Sequence, residues 1–255
     1  MVGIQVIDRL VALLDGLAAA GGVASLKVLS AETGLPPSTA FRILAAAADN
    51  GLVERLPGAA YRLGPRLLAL AAEMRAALDL RAEARPVMEW LCDQIEETVN
   101  LTVREGEEVV YVERVMPRRT LRVEQVVGSR APLHTTAVGK LMLGDGGHEA
   151  VEAYARSTGL PRYTANTRTD LASLWRDIRD SLGRGYALDD EEAELGVGCI
   201  GTVVRDHGGT VVAGISVSAP IERRQEGWVP LVIEAGRRLS ARLGYRGPGP
   251  GQGRR

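Results

Sequence analysis

The first fifty residues alternate between helical patterns of apolar residues and residues typical of turns. The first pattern has helical spacing and ends at two glycines: Ile4, Ile7, Leu10, Val11, Leu14 and Leu17, followed by Gly21-Gly22. Ser25 suits the N-cap of a second helix over residues 26–33, which Gly34 ends. Pro37 suits the first turn of a third helix that lasts until Asn50-Gly51. The pattern therefore predicts three helices, the last two joined by a very short turn.

A hairpin is predicted directly after the third helix. Residues 52–56 and 61–63 are short strand-like runs, separated by the turn residues 57–60. The order of a helix, a helix-turn-helix and a hairpin is that of a winged helix-turn-helix, which binds DNA. We therefore predict a DNA-binding domain over residues 1–64.

Several side chains of this domain suit contacts with double-stranded DNA. The candidates are Ser38, Thr39, Phe41 and Arg42 on the third helix and Arg55, Tyr61 and Arg62 on the hairpin. Arg42 can bind guanine, the Phe41 ring can contact a thymine methyl, and the hydroxyls and hairpin residues can contact phosphates. Two alternatives stay open: Phe41 folds back onto the first helix, or an arginine such as Arg62 pairs with Glu54 across the hairpin.

The apolar period changes from helical to alternating in the second part of the chain. Helical patterns cover residues 66–78, about 81–97, 136–143, 148–156, 170–182 and 230–243. Alternating patterns predict strands over residues 99–103, 109–115, 121–127, 199–204 and 211–218. The predicted fold class is α+β, with a linker helix over 65–80 and an antiparallel sheet flanked by helices over 81–246. The Gly/Pro-rich residues 247–255 are predicted to be a disordered tail.

Composition narrows the class of protein. The 255 residues are 45% hydrophobic and 25% charged, which is typical of globular proteins. The two cysteines are far apart and suit a reducing compartment, and the three histidines lack zinc-ligand spacing, so we expect no metal and no cofactor. Apolar runs fall short of a membrane span, and the N-terminal residues lack a signal-peptide pattern. We expect a cytoplasmic protein with no membrane partner.

The charge of the first domain bears on its assembly. The whole chain has a net charge of -1, which neither indicates nor excludes binding to nucleic acid. Residues 27–66 carry five basic and three acidic side chains, a net charge of +2. This charge is small for a DNA-binding domain, so we expect at least a dimer, which doubles the contacts with DNA.

The second part contains a loop that leads into a predicted helix, residues 132–140. Backbone N–H groups at a helix start favour an anion, and the small residues here allow a ligand to approach. Lys140 can equally be an ordinary solvated lysine. The acidic run of residues 189–192, with Glu194, is interpreted as a surface charge run and not as a metal site.

Cys199 opens an apolar strand and has three interpretations. The first is inert burial. The second is a hydrolase in which Cys199 is the nucleophile, His134 the base and Asp189 the group that orients the base. The third is a redox sensor, although the acidic sequence around Cys199 disfavours the low thiol pKa that this role requires.

Four stretches together resemble the IclR family of bacterial transcriptional regulators. They are Thr33-Gly34-Leu35-Pro36-Pro37-Ser38-Thr39, Tyr61-Arg62-Leu63-Gly64, residues 133–140, and the spacing Gly185-x3-Asp189-x2-Glu192-x6-Cys199. The resemblance covers the chain up to residue 246. It implies a DNA-binding domain, a linker helix and a GAF-like domain that binds a small organic effector, usually a carboxylate. It also implies a homodimer or homotetramer on operator DNA, with repression as the expected effect.

The resemblance further implies an effector pocket on defined residues of the second domain. These are Thr136, Ala137, Val138 and Gly139 on one side, and Asp189, Cys199, Ser216 and Ser218 on the other. The two serines are two positions apart on a predicted strand, so their hydroxyls share one face. Two departures from the family pattern concern Pro36, where relatives often have an N-cap residue, and residues 200–204, which lack the usual small residues and proline.

Overall fold

The computed structural model describes residues 4–247, apart from the side chains of residues 75–77. This part of the chain forms two units that meet in sequence between Leu78 and Asp79. The predicted tail, except for Gly247, lies outside the described residues. No described helix is both long enough and apolar enough to cross a membrane.

The first unit is a winged helix-turn-helix followed by one further helix. Its elements are α1 (Gln5–Ala19), β1 (Val23–Ser25), α2 (Leu26–Thr33), α3 (Pro37–Asp49), β2 (Val53–Leu56), β3 (Ala60–Leu63) and α4 (Pro65–Ala77). The three strands form an antiparallel sheet in the order β1-β3-β2. Strand β1 was not predicted, because three residues are too few to show a period.

The turn between α2 and α3 follows from its capping residues. The Ser25 hydroxyl accepts a hydrogen bond from the Val28 N–H, and Gly34 ends α2 in the left-handed conformation at φ 65°. Pro36 has no side chain that can cap α3, but its carbonyl accepts from the N–H groups of Thr39 and Ala40. Helix α3 therefore still begins at Pro37, despite the departure at Pro36.

The core of the first unit uses only part of the predicted apolar stripe of α1. Leu13 and Leu17 are fully buried against α2, α3 and the sheet. Ile4, Ile7 and Val11, part of the predicted apolar stripe, are exposed in this unit. The stripe is wider than one core-facing side requires, so α1 also presents an apolar surface to solvent.

The second unit is a six-stranded antiparallel sheet covered by helices on both faces. Its helices are α5 (Leu80–Ile95), α6 (Ala137–Asp145), α7 (Gly147–Thr158), α8 (Leu171–Arg184) and α9 (Val229–Arg242). Its strands are β4 (Thr98–Glu105), β5 (Glu108–Val115), β6 (Arg130–Pro132), β7 (Ala187–Asp190), β8 (Val197–Arg205) and β9 (Val211–Pro220), in the order β6-β5-β4-β9-β8-β7.

Adjacent residues of β8 show which helices cover each face. A side chain at Gly201 would collide with Val138 of α6, whereas the Thr202 side chain lies against Gly236 of α9. Successive residues of a strand point to opposite faces, so α6 and α9 lie on opposite sides of the sheet. Helices α7 and α8 pack with α6, and α5 packs beside α9.

Residues 121–127, predicted as a strand, have no regular structure. They belong to the covering segment, residues 116–129, between β5 and β6. Side chains of the sheet hold its backbone: Thr98 donates to the Val123 carbonyl at 2.6 Å, and Arg114 donates to the Gln125 carbonyl at 2.6 Å. Because the Val123 and Gln125 carbonyls bond to side chains and not to a strand ladder, residues 121–127 do not join the sheet despite their alternating sequence.

Candidate DNA-binding surface and effector pocket

The outer face of α3 carries the predicted DNA contacts of this helix. Ser38 and Arg42 are exposed, Thr39 is half-buried, and the Phe41 ring is 41% exposed. The opposite face buries Ala40, Leu44 and Ala47 in the core. Phe41 therefore does not fold back into the core of the first unit.

The three candidate DNA-contacting residues of the wing, residues 53–63, lie in different environments. Arg55 is exposed and its guanidinium lies 5.8 Å from the centre of the Phe41 ring, so the wing and α3 present a joint surface. Arg62 faces Glu54 across the hairpin and pairs with it at 2.5 Å, as the alternative interpretation proposed. Its side chain stays 53% exposed and can still approach a phosphate.

The burial of Tyr61 argues against the predicted DNA contact of this residue. Its side chain is only 1% exposed and packs with Leu13, Leu17 and Leu44 in the core of the first unit. Alternation along β3 explains the difference, because Arg62 points to solvent and its neighbour must point inward. Tyr61 therefore packs in the core below the wing, and its side chain has almost no exposed surface with which to contact DNA.

A cavity of about 580 Å³ lies on the α6 side of the sheet in the second unit. Six of the eight predicted effector residues line it: Thr136, Ala137, Val138, Asp189, Cys199 and Ser216. Strand register brings the sheet residues together, since Asp189 pairs with Cys199, and Cys199 with Ser218. Residues directly opposite each other on antiparallel strands share a face, so this row of polar side chains points toward α6.

Ser218 and Gly139 are the two predicted residues that do not line the cavity. The Ser218 hydroxyl is buried between its neighbours, 3.2 Å from the Cys199 sulfur and 3.1 Å from the Asn100 amide nitrogen. The N–H of Gly139 is already bound, because it donates to the Thr136 hydroxyl at 3.2 Å. Both residues instead form hydrogen bonds with residues that line the cavity.

The start of α6 forms one wall of the cavity. Thr136 is its N-cap, and the N–H groups of Ala137 and Val138 are first-turn groups, for which a helix offers no internal partner. Val138 sits directly over the sheet, because β-carbons at Gly201 or Gly214 would lie only 2.7 or 2.6 Å from its side chain. These two glycines let α6 approach the sheet closely.

His134 fixes the turn before α6. Its Nε2 lies 3.1 Å from the Pro161 carbonyl, an acceptor only, so Nε2 carries the proton and Nδ1 accepts from the Tyr154 hydroxyl at 2.8 Å. Burial lowers the pKa of His134, which agrees with a neutral ring. His134 is thus bound on both sides as a structural residue.

Asp189 is a buried carboxyl on the cavity wall. Burial raises its pKa to about 6, although the N–H groups of Glu192 and Ala193 donate to its Oδ1 and nearby Lys140 favours its charge. The carboxyl therefore titrates just below neutral pH and can either donate or accept a hydrogen bond in the pocket.

Two interpretations are wrong: that Lys140 is solvated, and that residues 189–192 form a surface charge run. Lys140 is fully buried, and its Nζ lies 2.6 Å from both Glu192 Oε1 and Asp177 Oδ2. Glu192 is 1% exposed, so the run of residues 189–192 is not a solvated surface patch. The ion pair joins α6 to α8 and to the turn after β7, and it thereby holds the backbone that binds Asp189.

The structure gives no support to a reactive Cys199. Burial, followed by the charge of Asp189, raises the pKa of the thiol well above its usual range, whereas a nucleophile or redox sensor needs a lowered one. Among the described residues, no cluster of three His, Cys, Asp or Glu side chains could hold a metal ion.

The covering segment contributes to the cavity, although its sequence pattern predicts a sheet strand. Residues 122–126 and Tyr111 of β5 also line the cavity. Asn100 of β4 donates to the Gln125 side chain at 3.1 Å and so ties this segment to the floor. One sequence feature could have indicated this role. The polar side chains Arg122, Glu124 and Gln125 interrupt a run that was interpreted as a sheet strand.

A winged helix-turn-helix in one unit and a cavity with polar side chains in the other are typical of ligand-controlled, DNA-binding transcriptional regulators. Comparison with known families gives the same class: the IclR helix-turn-helix domain matches residues 6–57, and the C-terminal domain of the bacterial transcriptional regulator IclR matches residues 73–241. The chain belongs to the IclR family, and it is a regulator and not an enzyme. These matches give no support to the cysteine hydrolase alternative.

Three relatives illustrate the similarity over the whole chain. The HTH-type transcriptional regulator KipR of Bacillus subtilis is 32% identical over 225 residues, which cover 87% of this chain and 90% of KipR. The crystal structure of the Agobacterium tumefaciens repressor BlcR is 29% identical, covers 96% of this chain and 99% of its own, and has a TM-score of 0.79. An IclR homologue from Microbacterium hydrocarbonoxydans, crystallised with 4-hydroxybenzoate, is 28% identical, covers 93% and 98%, and has a TM-score of 0.61.

Proposed function

We propose that this regulator represses transcription from an operator and that a small organic acid, bound in the cavity of the second unit, controls it. The observation that carries the proposal is the cavity, whose volume of about 580 Å³ lies in the usual range of ligand pockets. Its polar wall and buried floor suit a small polar ligand. A repressor among the relatives supports the sign of regulation. Because its target is bacterial DNA, we place its action in the cytoplasm.

The start of α6 favours a carboxylate. The N–H groups of Ala137 and Val138 and the helix dipole attract negative charge. Asp189, Cys199 and Ser216 lie on the opposite wall and suit the polar far end of the ligand, such as a hydroxyl. The relative crystallised with 4-hydroxybenzoate has bound a ligand of this chemistry.

Operator recognition is assigned to α3 and the wing. We propose that Ser38, Thr39, Phe41 and Arg42 contact the major groove and that Arg55 and Arg62 contact phosphates, which their exposure or half-exposure supports. Exposed apolar residues on α1 and α4 support a homodimer or homotetramer through the first unit: Ile4, Ile7, Val11, Leu68, Leu70 and Met74. Such an assembly binds a pseudopalindromic operator.

The effector is tested with a panel of carboxylates and their neutral amides. Benzoate, 4-hydroxybenzoate, pyruvate and succinate are each paired with the amide, and binding to the full chain is measured by calorimetry and by the shift in melting temperature. The operator is isolated by selecting genomic fragments with the purified protein. We expect at least one carboxylate to bind and to change operator affinity. If bound ligands leave operator affinity unchanged, control by the cavity is wrong.

Matched serine variants test the location of the ligand. Ser216 lines the cavity and Ser218, on the same face of β9, does not. Ser216→Ala should weaken binding of the carboxylate identified in the panel by about 0.5–3 kcal/mol, the value of one or two hydrogen bonds. Ser218→Ala should change it less. Equal losses, or no loss at Ser216, would place the ligand elsewhere.

A further inference from the structure

Arg122 is a cavity-lining arginine that none of the predicted roles uses. It lies in the covering segment, lines the same cavity as the start of α6, and is half-buried. Its Nε is buried and has no hydrogen-bond acceptor among the described residues. A guanidinium carries a permanent charge, so leaving one of its buried N–H groups without an acceptor costs free energy. A ligand that supplies an acceptor for this N–H would remove that cost.

Besides Arg122, the described residues that line the cavity include one basic side chain, Arg130, and three acidic ones, Glu124, Asp189 and Glu194. Arg130 is paired with Glu105 and Glu108, and Glu124 is paired with Arg114 at 3.0 Å. Within the described part of the chain, Arg122 is in no ion pair. It is therefore the cationic side chain on this wall whose charge is not already matched by an acidic partner.

The guanidinium is held in place before any ligand binds. Its Nη1 donates to the Arg119 carbonyl at 2.9 Å, which leaves Nε and Nη2 for other partners. On one side of Arg122, Arg223 donates to the Leu121 carbonyl at 3.0 Å, and on the other, Thr98 donates to the Val123 carbonyl at 2.6 Å. The carbonyls of both neighbouring residues, Leu121 and Val123, are thus bound by side chains of the second unit.

Arg223 is itself firmly bound. It makes two hydrogen bonds to the fully buried carboxylate of Glu97, at 2.7 and 2.9 Å, directly before β4. A bidentate pair of this kind fixes the plane of the guanidinium. The start of β4 therefore positions the covering segment through Glu97 and Thr98, and with it Arg122.

From this geometry we infer that Arg122 supplies the positive charge by which the cavity selects an organic carboxylate over its neutral analogue. The inference rests on the proposed function and adds a residue that discriminates the charge of the ligand. The first-turn N–H groups of α6 carry only partial charge and also bind neutral acceptors. A fixed guanidinium binds a carboxylate through charge and two parallel N–H groups, which an amide cannot match.

The test compares carboxylate and amide in each of the four pairs, in the full chain without DNA. Wild type should bind at least one carboxylate ten or more times more tightly than its amide. Arg122→Ala should reduce this ratio to within twofold, and Arg122→Lys should keep part of it because the charge remains. Arg118→Ala is the matched control, because Arg118 is an exposed arginine of the same segment that does not line the cavity.

Two results would overturn the inference. One is an Arg122→Ala protein, with wild-type melting temperature, that keeps the full preference for the carboxylate. The other is a wild type that prefers no carboxylate over its amide. If amides bind as tightly and change operator affinity, the effector is neutral: control of the operator through the cavity stands, but the organic-acid effector and the role of Arg122 are both wrong. If the ratio depends on Arg122 but operator affinity never responds, the inference stands and the proposed function fails.

Discussion

Arg42 and Tyr61 were both predicted to contact DNA, but they differ in burial. Arg42 is exposed on α3, whereas Tyr61 is in the core. We expect Arg42→Ala to cost about 1–3 kcal/mol of discrimination at one base pair, and Arg62→Ala to weaken binding to all duplexes similarly. Mobility shifts on the selected operator and on a scrambled duplex measure both effects.

Tyr61→Phe is the control for the corrected role. It keeps the buried ring, so operator affinity should stay within twofold of wild type. Tyr61→Ala should instead lower the free energy of unfolding by about 3–5 kcal/mol, as for other buried aromatic residues. An Arg42→Ala protein that is folded and keeps its operator preference would contradict the assignment of α3 to the major groove.

Asp189 makes stability depend on pH in a defined direction. Its pKa is raised from 3.8 to about 6 on folding, so its favourable contribution is complete below pH 3.8 and is lost as pH rises through 6. The loss is about 3 kcal/mol, at 1.36 kcal/mol per pH unit. Asp189→Asn cannot ionise, so it should gain about this much relative to wild type between pH 4 and pH 7.5.

Urea unfolding of both proteins across this range measures the difference. Glu192, whose pKa burial also raises, is present in both proteins, so the comparison isolates the effect of removing the Asp189 carboxyl. Parallel pH profiles for wild type and Asp189→Asn would show that the Asp189 carboxyl is not desolvated in the folded protein.

At the scale of elements, the Lys140 ion pair joins three parts of the second unit. Breaking one side of a buried pair leaves an uncompensated charge, whereas replacing both sides with apolar residues can be neutral. Lys140→Met should therefore destabilise the protein by about 3–5 kcal/mol. The double variant Lys140→Met with Glu192→Leu should recover most of the loss. Denaturant midpoints provide the measurement, and additive losses would contradict the coupling.

Elements marked by caps, turn residues or an apolar period could be predicted from the sequence, including the short hairpin strands β2 and β3, and strands without such marks could not. The helices α2, α3, α6 and α8 follow from caps and apolar spacing, and all begin within one residue of their expected starts. Strands β1, β6 and β7 have three or four residues and show no period. Residues 121–127 alternate like a strand, but their carbonyls bind side chains such as Thr98 and Arg114, a tertiary effect that no local pattern reveals.

The candidate site was predictable where residues lie on one strand or helix start. Ser216 and the start of α6 are examples. Lys140 and Glu192 are 52 positions apart, so their burial as a pair depends on how α6 meets the turn after β7. Arg122 enters the cavity only because Arg223 and Thr98 fix its neighbours. Contacts between distant segments decide these roles.

At the scale of the whole molecule, the account predicts an assembly through the first unit. Its exposed apolar residues on α1 and α4 include Ile7, at 53% exposure, and Leu68, at 74%. Sedimentation at micromolar concentration should show a dimer or a tetramer. Ile7→Glu with Leu68→Glu should shift the protein toward a monomer and weaken operator binding, whereas Leu195→Glu in the second unit should not. A wild-type monomer both free and on DNA would exclude the assembly.

The most direct test of the account is operator affinity measured with and without a carboxylate that binds the cavity. Fluorescence anisotropy of a labelled operator, titrated with the full chain, should show at least a tenfold change in affinity when the carboxylate is saturating. Ser216→Ala should require more carboxylate for the same change, and Arg42→Ala should lose operator preference while it still binds the carboxylate. An operator affinity that is the same at zero and at saturating carboxylate would contradict control through the cavity.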